Sequence, residues 1–64
     1  MPSYVFNNQE WAVWGILNAN VLDLTAQEVA KELAMELETA EKTLKALKEA
    51  GFVREQNGKF SPAN

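Results

Sequence analysis

The sequence predicts a small, mostly helical α+β domain: three helices followed by a C-terminal β-hairpin. Three observations carry this. Asn7 with Glu10, and Thr25 with Glu28, have the spacing of a capping box. In that motif the cap side chain and the acid three residues on each satisfy a free backbone N–H. Val29, Leu33, Leu37, Ala40, Leu44 and Leu47 recur every three or four positions, which is the apolar stripe of an amphipathic helix. Asn57-Gly58 stands between two short strand-like stretches, and both residues accept the positive φ that a two-residue hairpin turn demands.

Taken in order, the start of the chain is apolar, with Pro2, Tyr4, Val5 and Phe6. Tyr4 and Phe6 alternate, which places them on one side of an extended segment. The first helix spans about 8–18. It contains Trp11, Val13, Trp14, Ile16 and Leu17, and Asn18 to Asn20 supply a stop, because Asn tolerates the left-handed conformation. At about 100° per residue Val13, Trp14 and Leu17 share one face, while Trp11, Ala12 and Ile16 fall elsewhere. A helix apolar nearly all round is covered on more than one side, by the N-terminal segment or by another subunit.

Val21 to Leu24 reads as a short connecting strand or an extended loop. The Thr25 cap opens a second helix over about 26–34, with Val29, Ala30 and Leu33 inward. A third helix covers about 37–50. No Gly or Pro separates these two, so the stripe also permits one continuous helix from Ala26 to Ala50. A break near Ala34–Glu36, with Met35 turned into the core, is preferred, because an isolated hairpin is not stable in water and needs a bed of helices. Gly51 closes the last helix, and the hairpin occupies about 52–61, ended by Pro62.

Composition narrows the chemistry. With 64 residues there is room for one domain, and 47% hydrophobic with 23% charged residues is a globular mixture. The absence of Cys and His removes disulfide frameworks, zinc fingers and imidazole or thiol catalysis. Asp23, Glu28 and Glu32 lack a partner that would perturb them. Gly15, Gly51 and Gly58 are isolated, so no phosphate-cradling loop is present, and no calcium-loop spacing occurs. The expectation is a protein that binds rather than catalyses, with no cofactor and no metal. No apolar run approaches the roughly 20 residues of a membrane-crossing helix, and no signal-peptide pattern is present, so a cytoplasmic location is expected.

The net charge of -3 is unevenly spread. Residues 1–41 carry one base, Lys31, against seven acids, whereas residues 42–64 carry Lys42, Lys45, Lys48, Arg54 and Lys59 against Glu49 and Glu55. Such asymmetry marks a charged binding surface, or paired charges on a wet helix face.

This order of elements resembles the winged helix-turn-helix family. Thr25-Ala26-Gln27-Glu28-Val29-Ala30-Lys31-Glu32-Leu33 is similar to its first helix-turn-helix element. Thr39-Ala40 with Leu44 and Leu47 is similar to the recognition helix, Gly51-Phe52-Val53 to the entry into the wing, and Asn57-Gly58-Lys59-Phe60 to the wing tip. The likeness covers about residues 8–61 and is nearest to the MarR-type and ArsR-type regulators. The chain departs from the family pattern at Ala34, where a Gly or another turn former is usual. It departs again near Glu36, where a capping Ser, Thr or Asp is usual.

The resemblance implies a winged helix of three helices plus a β-hairpin wing, and a DNA-binding transcriptional regulator. The recognition helix would enter the major groove and the wing would reach the backbone. It points to Thr39, Lys42, Lys45, Arg54 and Lys59 as DNA contacts, with Glu36 and Glu38 exposed beside them. Against this, Glu38–Lys42 and Glu41–Lys45 have the spacing of helix ion pairs, worth about 0.2–0.5 kcal/mol each, which would only solvate the helix. The alternative is a protein-interaction module. There Tyr4, Phe6 and Trp11 are the interface candidates, since Trp and Tyr are favoured at hot spots, and self-association into a homodimer is one form of it. Trp14 is expected in the core, and Trp11 in the core or at an interface.

Overall fold

The computed structural model describes residues 4–63; Met1, Pro2 and Ser3, on which part of the apolar N-terminal reading falls, and Asn64 lie outside them. The elements run α1 (Asn8–Ala19), β1 (Leu24–Thr25), α2 (Ala26–Leu33), α3 (Leu37–Glu49), β2 (Val53–Gln56) and β3 (Lys59–Pro62). The result is a mostly helical α+β winged helix.

Both expected capping boxes form. The Asn7 side chain accepts from the Glu10 N–H at 2.8 Å, while the Asn7 N–H donates to Glu10 Oε1 at 2.9 Å. Thr25 Oγ1 accepts from the Glu28 N–H at 3.1 Å, and the Thr25 N–H donates to Glu28 Oε1 at 2.8 Å. The C-terminus of α1 is built differently from the expectation. Asn20 is extended, at φ -105° and ψ 139°, not left-handed. The Asn side chains close the helix instead: Asn18 Nδ2 donates to the Trp14 carbonyl and Asn20 Nδ2 to the Ile16 carbonyl.

The stripe from Val29 to Leu47 is cut in two. Ala34 takes the left-handed conformation, φ 52° and ψ 42°. The Met35 N–H then reaches the Ala30 carbonyl at 3.0 Å and the Ala34 N–H the Lys31 carbonyl at 3.3 Å, the two bonds of a Schellman ending. Met35 packs against the core as expected. Leu37 does not follow the stripe into the core. It is exposed although in phase with Ala40 and Leu44, because it is the first residue of α3, directly after the extended cap residue Glu36, and lies outside the core cluster. The end of α3 repeats the device with Gly51 at φ 89°: the Phe52 N–H donates to the Leu47 carbonyl and the Gly51 N–H to that of Lys48.

Asn57 and Gly58 have φ of 56° and 78°, as a tight hairpin turn requires, and set the register Gln56↔Lys59 and Arg54↔Ser61. β1 resolves the strand-or-loop alternative: Leu24 and Thr25 pair with Phe60 and Lys59, so the sheet has three strands in the order β1-β3-β2. Val21 and Leu22 before it are an exposed loop.

The core is Val13 and Leu17 of α1, Val29 and Ala30 of α2, Ala40, Leu44 and Leu47 of α3, and Val53 of β2. Leu24, Leu33, Phe52 and Phe60 close its edges. The surplus apolar surface of α1 is partly covered from within the chain. Phe6 lies against Trp11, Trp14 and Phe52, with ring centroids 4.8, 6.1 and 5.0 Å away, and Tyr4 lies 5.2 Å from Phe52. Trp14 is half-buried at the edge of the core rather than inside it, and Trp11 stays exposed.

Candidate nucleic-acid interface

The outward side of α3 follows from its inward side. Ala40, Thr43, Leu44 and Leu47 are buried, and the Thr43 hydroxyl is satisfied by donating to the Thr39 carbonyl at 2.8 Å. At about 100° per residue, the opposite meridian is Glu38, Lys42, Lys45 and Glu49. All four are exposed. Lys42 and Lys45 thus form the cationic centre of the helix face that points away from the core. Thr39 lies beside this line and is only half-exposed, so of the contacts expected on α3 it is the least accessible.

The expected ion pairs Glu38–Lys42 and Glu41–Lys45 do not form. Among the described residues the salt bridge present is Lys48–Glu55, at 2.9 Å, joining α3 to β2. It removes Lys48 from the free positive charge of the C-terminal third and leaves Lys42 and Lys45 unpaired.

The hairpin carries a second set. Residues opposite one another in an antiparallel sheet lie on the same face, so Arg54, Gln56, Lys59 and Ser61 share one side, and Thr25 joins them through its pairing with Lys59. Val53, Phe60 and Leu24 occupy the other side, against the helices. Arg54 and Lys59 therefore sit together on the outer face of the sheet. Lys59 is not electrostatically isolated. The Glu28 carboxyl is held below the usual carboxylate range, first by the Thr25 N–H that it accepts and in smaller part by the positive charge of Lys59 nearby. The basic residues expected at the site thus fall into two groups, Lys42 with Lys45 on α3 and Arg54 with Lys59 on the sheet.

The expected protein-contact residues also divide. Tyr4 and Phe6 pack on Phe52 of the same chain, whereas Trp11 is 59% exposed. The sequence reading missed the role of Glu10 beyond capping. Its carboxylate is buried and accepts the Tyr4 hydroxyl, which anchors the N-terminal segment. That hydrogen bond, with burial and the adjacent negative charge adding to it, raises the Tyr4 pKa. Nothing in the local sequence signals a contact between residues six apart on either side of a helix start.

Among the described residues, no cluster of His, Cys, Asp or Glu is placed to hold a metal ion, and no helix is long and apolar enough to cross a membrane. The three helices, the left-handed break before α3 and the hairpin define a small winged-helix protein. The model of the Firmicute plasmid replication protein (RepL) family matches residues 6–62, and the chain belongs to that family. A comparison with curated proteins found no match. This match does not confirm the likeness to MarR-type and ArsR-type regulators.

Proposed function

We propose that this chain is a duplex-DNA-binding domain serving plasmid replication in the cytoplasm, without enzymatic activity of its own. α3 is the element presented to the major groove, and Arg54 on the hairpin adds a backbone contact. The observation that carries this reading is the pair Lys42 and Lys45, unpaired on the outward meridian of α3, in a chain whose family is described as a plasmid replication protein. Phosphate contacts by such lysines release counterions, so affinity for a mixed duplex should fall steeply with salt. Charge reversal of Lys42 and Lys45 together should abolish binding while leaving the fold intact. Absence of binding to duplex at low salt would refute the proposal. Control of transcription is the finer alternative, and a strong preference for the promoter of its own gene over a replication origin would favour it.

One observation favours a further contact with protein, a second copy of the chain included. The single charge within α1, Glu10, is buried, so its exposed side (Asn8, Trp11, Ala12, Gly15 and Ala19) is uncharged. Sedimentation analysis of the wild type and of Trp11→Ala, alone and on duplex, tests it. A monomer in every case would count against self-association.

A further inference from the structure

Each of the three helices has an acid in its first turn, and two of them are structurally committed. Glu10 and Glu28 close the capping boxes of α1 and α2. Glu38 of α3 is not. The cap residue of α3 is Glu36, whose side chain makes no capping bond, and the position that would complete a box is Thr39. Glu38 is exposed, and among the described residues its carboxylate has neither a hydrogen-bond partner nor an ion pair. It heads the same outward line as Lys42 and Lys45.

A carboxylate in that place repels phosphates, and it contributes favourably to DNA binding where a base-edge donor meets it. In the major groove guanine shows two acceptors, and thymine an acceptor and a methyl group. Adenine has an amino donor, but its N7 acceptor sits beside it and opposes the second carboxylate oxygen. Cytosine presents its N4 amino group with no competing acceptor on that edge. We infer that Glu38 is a specificity-determining residue that accepts from the N4 amino group of a cytosine. Lys42 and Lys45, further along the line, supply the phosphate attraction that offsets its charge. This inference rests on the DNA-binding reading above. The other role open to Glu38, a favourable interaction with the positive end of the α3 dipole, affects stability and not base choice.

The test is selection of binding sites from a randomised duplex pool by the wild-type chain and by Glu38→Gln, Glu38→Ala and Glu41→Gln, with thermal melts to establish that each is folded. The wild type should enrich cytosine at one position by roughly 5- to 100-fold over other bases, the discrimination of a good base contact. Glu38→Gln should move that position to adenine, because an amide matches adenine's donor and acceptor, and Glu38→Ala should level it. Glu41→Gln, on the flank of α3, should select the wild-type sequence. Identical selected sequences for the wild type and Glu38→Gln overturn the inference while leaving DNA binding standing. Failure of every variant to bind duplex at low salt overturns the DNA-binding reading and the inference with it.

Discussion

The Tyr4 hydroxyl donates to the Glu10 carboxylate that also receives the Asn7 N–H, so one buried acid both caps α1 and holds the N-terminal segment over Phe52. The bond joins two parts of the chain that local sequence rules treat separately. Tyr4→Phe keeps the ring and removes the bond. It should lower the stability by the net contribution of that one hydrogen bond. Urea unfolding at neutral pH measures it.

The same pair sets an alkaline dependence. The folded-state pKa of Tyr4 is raised, so the stability it contributes is complete below the ordinary tyrosine pKa of about 10 and is lost as pH rises through the folded value. Unfolding of the wild type should therefore become easier above about pH 10, where a tyrosinate faces the Glu10 carboxylate. Tyr4→Phe should lose this part of the pH dependence. An unchanged profile in the variant would show that the bond does not form in solution.

Ala34 occupies a left-handed position that costs an L-residue roughly 1–2 kcal/mol and a glycine almost nothing. Part of that gain is offset by the greater freedom of glycine in the unfolded chain. Ala34→Gly should stabilise the protein by about 0.5–1 kcal/mol, and Ala34→Val should destabilise it. A paired melt of the two variants checks the sign.

The α2 cap should be visible in acid. Glu28 has a folded-state pKa below its unfolded one, so its stabilising contribution is present above the ordinary carboxylate range and is lost as pH falls through the folded value. Glu28→Gln should flatten that part of the acid limb. Thr25→Ala removes the other half of the box and should cost about 1 kcal/mol at any pH near neutrality.

Lys45 and Lys48 are one turn apart, but only Lys45 is free. Lys45→Ala should lower the slope of log affinity against log salt by about 1, as expected for one phosphate contact. Lys48→Ala should leave the slope near the wild-type value. Equal effects would mean that the Lys48–Glu55 bridge opens on binding.

Features governed by a few adjacent residues were legible in the sequence. The caps at Asn7 and Thr25, the Gly51 ending and the Asn57-Gly58 turn follow from short-range hydrogen bonding and allowed φ, and they place three helices and a hairpin in order. Leu44 and Leu47 were recognisable as core by spacing alone. Lys42 and Lys45 were recognisable as outward residues for the same reason.

Long-range packing settled the rest. The spacing of apolar residues allowed α2 and α3 to be one helix. The break at Ala34 lays Met35 against the core and makes Leu37 the exposed first residue of a new helix, an ending that the periodicity does not announce. β1 is two residues long and exists because β3 offers it a free edge. Glu10 became a buried anchor, and Lys48 rather than Lys42 or Lys45 became the paired lysine, because Tyr4 and Glu55 arrive from elsewhere in the chain. Local chemistry specified which elements form. Which charges remain free to meet DNA depended on where those elements come to rest against one another, because a side chain's partners are set by distance in space and not along the sequence.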